Sequence, residues 1–152
     1  MKIVKSAIDF LGYDVVNASF CKKDIPSFSG QQFELKPEFS RMIKQNSDEE
    51  NTYSLLLGVK IGSLDSEDDA INELPFAIDV MVEGVFTLQD VDDPVSAMKV
   101  NGVAILFPYL RSIVSMLSTI SGINPVVLPT INLVKMFEDE NAEEDKVTEE
   151  NE

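Results

Sequence analysis

Segments in which apolar and polar residues alternate predict four β-strands, one after another along the chain. The clearest alternation covers residues 53–61 and 76–88, where one face is apolar throughout, as in a strand that buries one side. A weaker alternation covers residues 33–43, where Pro37 indicates an edge strand or a bulge. We expect a first strand at about residues 13–22.

The links between the later strands predict how those strands pair. Residues 44–51 and 63–74 are acidic and polar, which is typical of hairpin loops. Consecutive hairpins make an antiparallel sheet, and such a sheet can expose one face to water and bury the other. We therefore predict an α+β fold in which a four-stranded antiparallel sheet has one wet, acidic face and helices packed on the other.

The longest apolar stretch of the chain predicts a helix after the sheet. Residues 100–134 contain one charged side chain, Arg111. Pro94 suits the first position of a preceding short helix, and we expect that helix to end near Val100 and the chain to break near Gly102. Apolar residues recur at the spacing of one helix face at Val103, Leu106, Phe107, Leu110, Ile113, Val114, Leu117 and Ile120.

The long helix has a second line of uncharged residues on another side. This line consists of Ile105, Tyr109, Ser112 and Met116. One interpretation is a central helix buried all round within a single subunit. We favour the other, in which one face packs inward and the other meets a second chain, because so short a chain has few elements left to cover both faces. The second line is thus a predicted oligomer interface.

Composition divides the chain into a folded part and an acidic tail. The chain has 152 residues, 44% of them hydrophobic, and a formal net charge of −15, so residues 1–137 can form one ordinary domain. Residues 138–152 contain nine acidic side chains and one lysine. We predict that this tail is disordered and that it keeps the protein soluble rather than binding a specific partner. The charge argues against nucleic-acid binding.

The residue types give no support for catalysis. The chain contains no histidine, and the acidic loop near Asp65 lacks the glycine and glutamate that an EF-hand calcium site needs. We therefore expect no enzyme activity, no cofactor and no metal. The single cysteine, Cys21, fits a reducing compartment. Pro108, Arg111 and Gly122 interrupt the apolar stretch, so we expect no membrane insertion and a cytoplasmic location.

Several apolar residues lie where a local core is hard to build, and they predict a groove. Ile25 and Phe28 stand in a loop with turn residues on both sides, and Val126 to Leu128 lie between two prolines. If the loop covers the last helix, the groove can repack around different sequences. The alternative is that each residue completes the core. The predicted groove residues are Ile25, Phe28, Phe33, Val127, Leu128, Met136 and Phe137.

The helical segment Ile-Leu-Phe-Pro-Tyr-Leu-Arg at 105–111, followed by Gly122, the turn from Pro125 to Pro129 and the pair Met136-Phe137, resembles the SecB family of export chaperones. The similarity covers about residues 13–137. It implies a dimer of dimers, hence a homotetramer, that holds unfolded precursor proteins without ATP and passes them to the SecA motor. In this family the predicted groove would bind the clients.

The resemblance also places a docking site for SecA on the exposed sheet face, where this chain departs from the family pattern. Two acidic positions of the first strand become Asn17 and Cys21, a leucine becomes Ala77, and Asp79 stays acidic. Docking to the motor is thus in question. The family includes chaperones of antitoxins, so the alternative is a SecB-like chaperone or adaptor dedicated to one such partner.

Overall fold

The computed structural model describes residues 7–23, 34–63, 74–129, 132–133 and 135–138. Four strands come first, followed by helical segments. The strands are β1 (Ile8–Lys22), β2 (Glu38–Gln45), β3 (Thr52–Ile61) and β4 (Phe76–Leu88). Helix α1 (Pro94–Ala97), a π-helical turn (Met98–Gly102) and helix α2 (Val103–Ile120) follow directly. Residues 133 and 135–138 are helical as well.

The strands form one antiparallel sheet in the order β1-β4-β3-β2. β2, β3 and β4 pair with their neighbours in the chain, as the acidic links predict. β1 pairs instead with β4, so the consecutive strands β1 and β2 lie at opposite edges of the sheet. This is a Greek-key order. It makes β1 and β2 the two edge strands.

The core lies between the sheet and α2. Alternate residues of β4, from Phe76 to Leu88, are buried, and those between them are half-buried, because successive side chains of a strand point to opposite faces. Gly84 lets α2 come close: a Cβ atom there would lie 3.0 Å from Phe86 Cε2 and 3.1 Å from Leu106 Cδ1. The buried residues of α2 are Val103, Leu106, Leu110, Val114 and Ser118.

The helical region begins where the sequence predicts. Asp93 is the N-cap of α1 and accepts a hydrogen bond from the Ser96 backbone N–H at 3.2 Å, and Pro94 follows it. Hydrogen bonds from the Ser96 side chain and backbone lower the pKa of the Asp93 carboxyl.

The predicted break near Gly102 is wrong, because Gly102 has helical angles (φ −60°, ψ −46°) and the π-helical turn joins α1 to α2. A Cβ atom on Gly102 would lie 3.3 Å from Met98 Cε, so the glycine serves close packing.

The sheet face opposite α2 is mixed rather than wet and acidic. Lys60 and Asp79 stand at paired positions there, whereas Leu56 and Met81 occupy the middle of the same face and are half-buried. Met42, across the ladder from Leu56, is 55% exposed. The face therefore combines uncharged side chains with charges of both signs.

The run from Pro94 to Ile120 is long and apolar enough to cross a membrane by length and composition, which differs from the expectation drawn from Pro108 and Arg111. The core helix of a soluble protein can meet the same criterion. Here Leu106 and Leu110 are fully buried in the core with the sheet. This packing accounts for the apolar residues on the inner side of α2 and leaves those on its outer side to be explained.

Candidate functional site

The predicted groove residues have very different accessibilities. Leu128 is 1% exposed and Phe137 is 3% exposed, so both belong to the core cluster. Met136 is half-buried against that cluster, and Val127 is 61% exposed. Val127 and Met136 are therefore the described groove residues that reach the surface. Ile25, Phe28 and Phe33 lie outside the described residues.

Three aromatic rings and two arginines pack against one another on the side of the molecule next to β2. The Arg41 guanidinium carbon lies 4.4 Å from the centre of the Phe137 ring. The Phe39 and Phe107 rings meet edge to face at 6.1 Å, and Arg111 lies 5.9 Å from the centre of the Phe107 ring. Cations over ring faces are attracted by the ring quadrupole. We call these five residues the β2 flank; within it, the contact of Arg41 with Phe137 attaches the C-terminal helical residues to the sheet.

Two serines of α2 hold the segment that carries Val127. The Ser115 hydroxyl donates to the Val126 carbonyl at 2.9 Å, and the Val126 N–H donates to Ser118 Oγ at 2.8 Å. The Ser118 hydroxyl in turn donates to the Ser115 carbonyl at 2.9 Å. Both backbone polar groups of Val126 are thus bonded to the helix. In the sequence, the only sign of this arrangement is that a serine, Ser118, continues the stripe of apolar residues formed by Val103, Leu106, Leu110 and Val114.

The side of the molecule next to β1 exposes apolar residues. The Tyr109 ring lies 4.7 Å from the Tyr13 ring and 5.5 Å from the Phe10 ring, so α2 and β1 share one aromatic cluster. Tyr13 and Tyr109 are each 38% exposed. We call the following residues the β1 flank: Phe10, Leu11, Tyr13, Val15, Val16 and Tyr109. Leu11, Val15 and Val16 are 60%, 48% and 55% exposed, respectively.

The predicted oligomer interface lies along the outer side of α2. Met116 is 65% exposed, Tyr109 joins the β1 flank, and Ile105 is half-buried. Ser112 is exposed and donates to the Pro108 carbonyl within the helix at 3.0 Å. The exposed residues of α2 carry no charge: they are Ala104, Pro108, Tyr109, Ser112, Met116, Thr119 and Ile120.

The residues of the predicted docking site come together on the sheet face opposite α2. Cys21 pairs with Ala77, and Asn17 Nδ2 donates to the Asp79 carbonyl at 3.3 Å. Asp79 is the only acidic residue of the four, and Lys60 stands directly across the ladder from it. A positive charge beside the remaining carboxylate weakens the patch as a site for a basic partner. In the part of the chain that the structure describes, no group of three or more His, Cys, Asp or Glu side chains could hold a metal.

The sequence is similar to those of two known proteins over most of its length. The chain is 30% identical over 146 residues to the protein-export protein SecB of Azoarcus sp., covering 92% of this chain and 87% of that protein. An uncharacterized protein of Methanocaldococcus jannaschii is 28% identical over 135 residues, covering 88% of this chain and 84% of that protein.

The fold has a counterpart among solved structures. The SecB-like chaperone Rv1957 of Mycobacterium tuberculosis, in complex with a peptide of the HigA1 antitoxin, aligns with a TM-score of 0.64 and 15% identity, covering 82% of this chain and 91% of that one. The match confirms the four-stranded antiparallel sheet with helical packing on one face. The family described as preprotein translocase subunit SecB matches residues 14–144. The chain belongs to the SecB family.

Proposed function

We propose that this protein is an ATP-independent holdase that binds unfolded precursor proteins for export. The observation that carries the proposal is the match to the SecB family across residues 14–144, which supports a chaperone role in export. A relative named protein-export protein SecB, similar over 92% of the chain, supports the same role.

The client would bind along the apolar segment after α2. Val127 is exposed between two exposed prolines, and Met136 is half-buried beside the core. Methionine adapts its shape to different neighbours, which suits a surface that must accept unrelated sequences. Burial of a few hundred Å² at about 25 cal/mol per Å² gives several kcal/mol before ordering costs. Useful affinity therefore requires several such surfaces on one particle.

A homotetramer would supply those surfaces. The β1 flank exposes apolar side chains at an edge of the sheet, and the exposed residues of α2 are uncharged. A water-soluble monomer rarely leaves such surfaces uncovered. Two different self-complementary contacts, one at the edge of the sheet and one along α2, generate a dimer of dimers. The contact along α2 would use Ile105, Tyr109, Ser112 and Met116.

A second candidate is a SecB-like chaperone dedicated to one partner, without docking to the SecA motor. The docking patch favours it, since Asp79 is the only acid among Asn17, Cys21, Ala77 and Asp79 and faces Lys60. A protein with the same fold is known in complex with an antitoxin peptide. This candidate keeps the client groove and the assembly, and it differs from the first in the range of clients.

Native mass spectrometry of the full chain tests both candidates. The protein is measured alone, with several unrelated chemically unfolded precursors, and with the same precursors after folding, all without nucleotide. We expect a tetramer that takes up each unfolded chain and ignores the folded ones. A tetramer that binds none of the unfolded chains contradicts the holdase, and a monomer contradicts the assembly. Binding of a single client favours the dedicated chaperone.

A further inference from the structure

We propose that Ser115 and Ser118 are positioning residues for client binding, because they fix the backbone of Val126 and thereby hold Val127 outward. This inference rests on the proposed function, since it concerns the surface that would bind the unfolded chain. Neither serine would touch the client. Their effect would pass through the segment that follows α2, which lacks helix or strand between Asn124 and Pro129.

The first step of the argument is the buried hydroxyl of Ser118. The other buried positions of α2 are Val103, Leu106, Leu110 and Val114, whereas Ser118 is polar and 0% exposed. A buried hydroxyl is unfavourable unless it is hydrogen-bonded. Ser118 meets this condition twice, because it accepts from the Val126 N–H and donates to the Ser115 carbonyl. An alanine would fill the same place in the core, so the hydroxyl is best explained by its bond to Val126.

The second step is the geometry that these bonds impose on the segment. Val126 is 6% exposed, Val127 is 61% exposed and Leu128 is 1% exposed, so the side chains point in, out and in. With Val126 bonded through both its N–H and its carbonyl, this alternation cannot slip by one residue without breaking both bonds. A slip of one residue would bury Val127 and expose its two neighbours.

The third step is the role of preorganisation. Pro125 and Pro129 restrict the backbone on either side of Val127, and the two serines attach the middle of the segment to α2. If residues 125–129 are already held in the conformation that binds a client, they lose less conformational entropy when a client covers them. The outward residues Pro125, Val127 and Pro129 are all uncharged and exposed, as a surface for unfolded chains requires.

The test compares four variants of the full chain: Ser115→Ala, Ser115→Thr, Ser118→Ala and Ser121→Ala. We expect each alanine at positions 115 and 118 to weaken the affinity for a fluorescently labelled unfolded precursor by about three- to tenfold, and to speed hydrogen exchange in residues 121–129, because each removes a bond to Val126. Ser115→Thr keeps a hydroxyl and should bind as the wild type does. Ser121→Ala is the matched control, because its hydroxyl donates to the Leu117 carbonyl at the C-terminal end of α2 and not to Val126.

A merely structural role gives a different result. It would lower the midpoint of thermal unfolding of both alanine variants and leave client affinity at low temperature unchanged, which would overturn the inference. If Ser118→Ala does not fold, Ser115→Ala still tests it, since Ser115 is only half-buried. A double-mutant cycle adds a second test: in the Val127→Ser background, Ser118→Ala should cause little further loss of affinity, and fully additive losses would overturn the inference.

The inference and the proposed function fail in different ways. If the wild-type chain binds unfolded precursors and all four variants bind equally well, the positioning role is wrong and the holdase stands. If the wild-type chain binds no unfolded precursor, the holdase is wrong and the positioning role falls with it.

Discussion

β1 and β2 are the edge strands of one sheet, yet their surfaces differ in length, charge and covering. β2 has eight residues, of which Glu38, Arg41 and Lys44 are charged, and Arg41 contacts the ring of Phe137. β1 has fifteen residues, of which Asp9, Asp14 and Lys22 are charged, and its flank exposes Leu11, Val15 and Val16. Short edges, charged side chains and covering segments all prevent unwanted strand pairing. The chain therefore covers the β2 edge with its own residues and leaves exposed apolar side chains on the longer β1 edge.

This difference shows how one subunit can separate its binding tasks. The β2 flank is closed by residues of the same chain, and Ser115 and Ser118 of α2 bond the segment that carries Val127. The β1 flank is completed by another molecule in the assembly that we propose.

The largest expected effect is the loss of stability on removing a buried ring from the β2 flank. Phe137→Ala should lower the free energy of unfolding by about 3–5 kcal/mol, because Phe137 is 3% exposed and deletion of a buried phenylalanine leaves a cavity. Urea unfolding measures this change. Tyr109→Ala is the comparison on the β1 flank and should cost about 1–2 kcal/mol, because the ring is 38% exposed and part of its apolar area is already in water.

Both variants must be measured in the same state of assembly, since subunit association adds to apparent stability. Native mass spectrometry at the concentration of the unfolding experiment provides that control. Equal losses for the two variants would contradict the view that the chain closes the β2 flank alone.

The second prediction concerns self-association at the two edges. Val16→Lys and Met42→Lys are matched, since both side chains are 55% exposed, one on β1 and the other on β2. In a two-fold contact each substitution occurs twice, so Val16→Lys places two like charges in one interface. We expect it to weaken self-association by at least about tenfold, seen as smaller species in native mass spectrometry on dilution. Met42→Lys should assemble as the wild type does; equal loss in both variants would show that the edges do not differ.

The sequence predicted the two central strands well because both bury one regular face. Tyr53, Leu55, Leu57, Val59 and Ile61 alternate without interruption, and the strand begins one residue earlier than predicted. β1 begins at Ile8 rather than at Tyr13, and register shifts between Phe10 and Gly12 and between Val15 and Asn17 disturb its period. β2 begins at Glu38, after Pro37, rather than at residue 33. Strand order depends on contacts distant in sequence, so the place of β1 beside β4 could not be read from alternation.

The candidate site was harder to predict than the fold. The outer line of α2 was visible in the sequence, because helix periodicity fixes which residues share a side. Burial of Leu128 and Phe137 depends on how the C-terminal residues meet the sheet, and a pattern of apolar residues cannot tell a groove from a core. The bonds of Ser115 and Ser118 to Val126 depend on the path of the chain after Gly122, where φ is +88° and the helix ends.

The smallest expected effects on stability come from removing the charge of either arginine of the β2 flank. Arg41 lies 4.4 Å from the centre of the buried Phe137 ring, and Arg111 lies 5.9 Å from the half-buried Phe107 ring. Methionine keeps much of the apolar stem and removes the charge. Because a cation–π attraction grows with proximity and with exclusion of water, Arg41→Met should lower the free energy of unfolding by about 1 kcal/mol and Arg111→Met by about half as much.

Urea unfolding of both variants, again in the same state of assembly, measures the difference. If Arg111→Met costs as much as Arg41→Met, or more, the cation over Phe137 is not what holds the C-terminal residues, and burial of the ring alone closes the β2 flank.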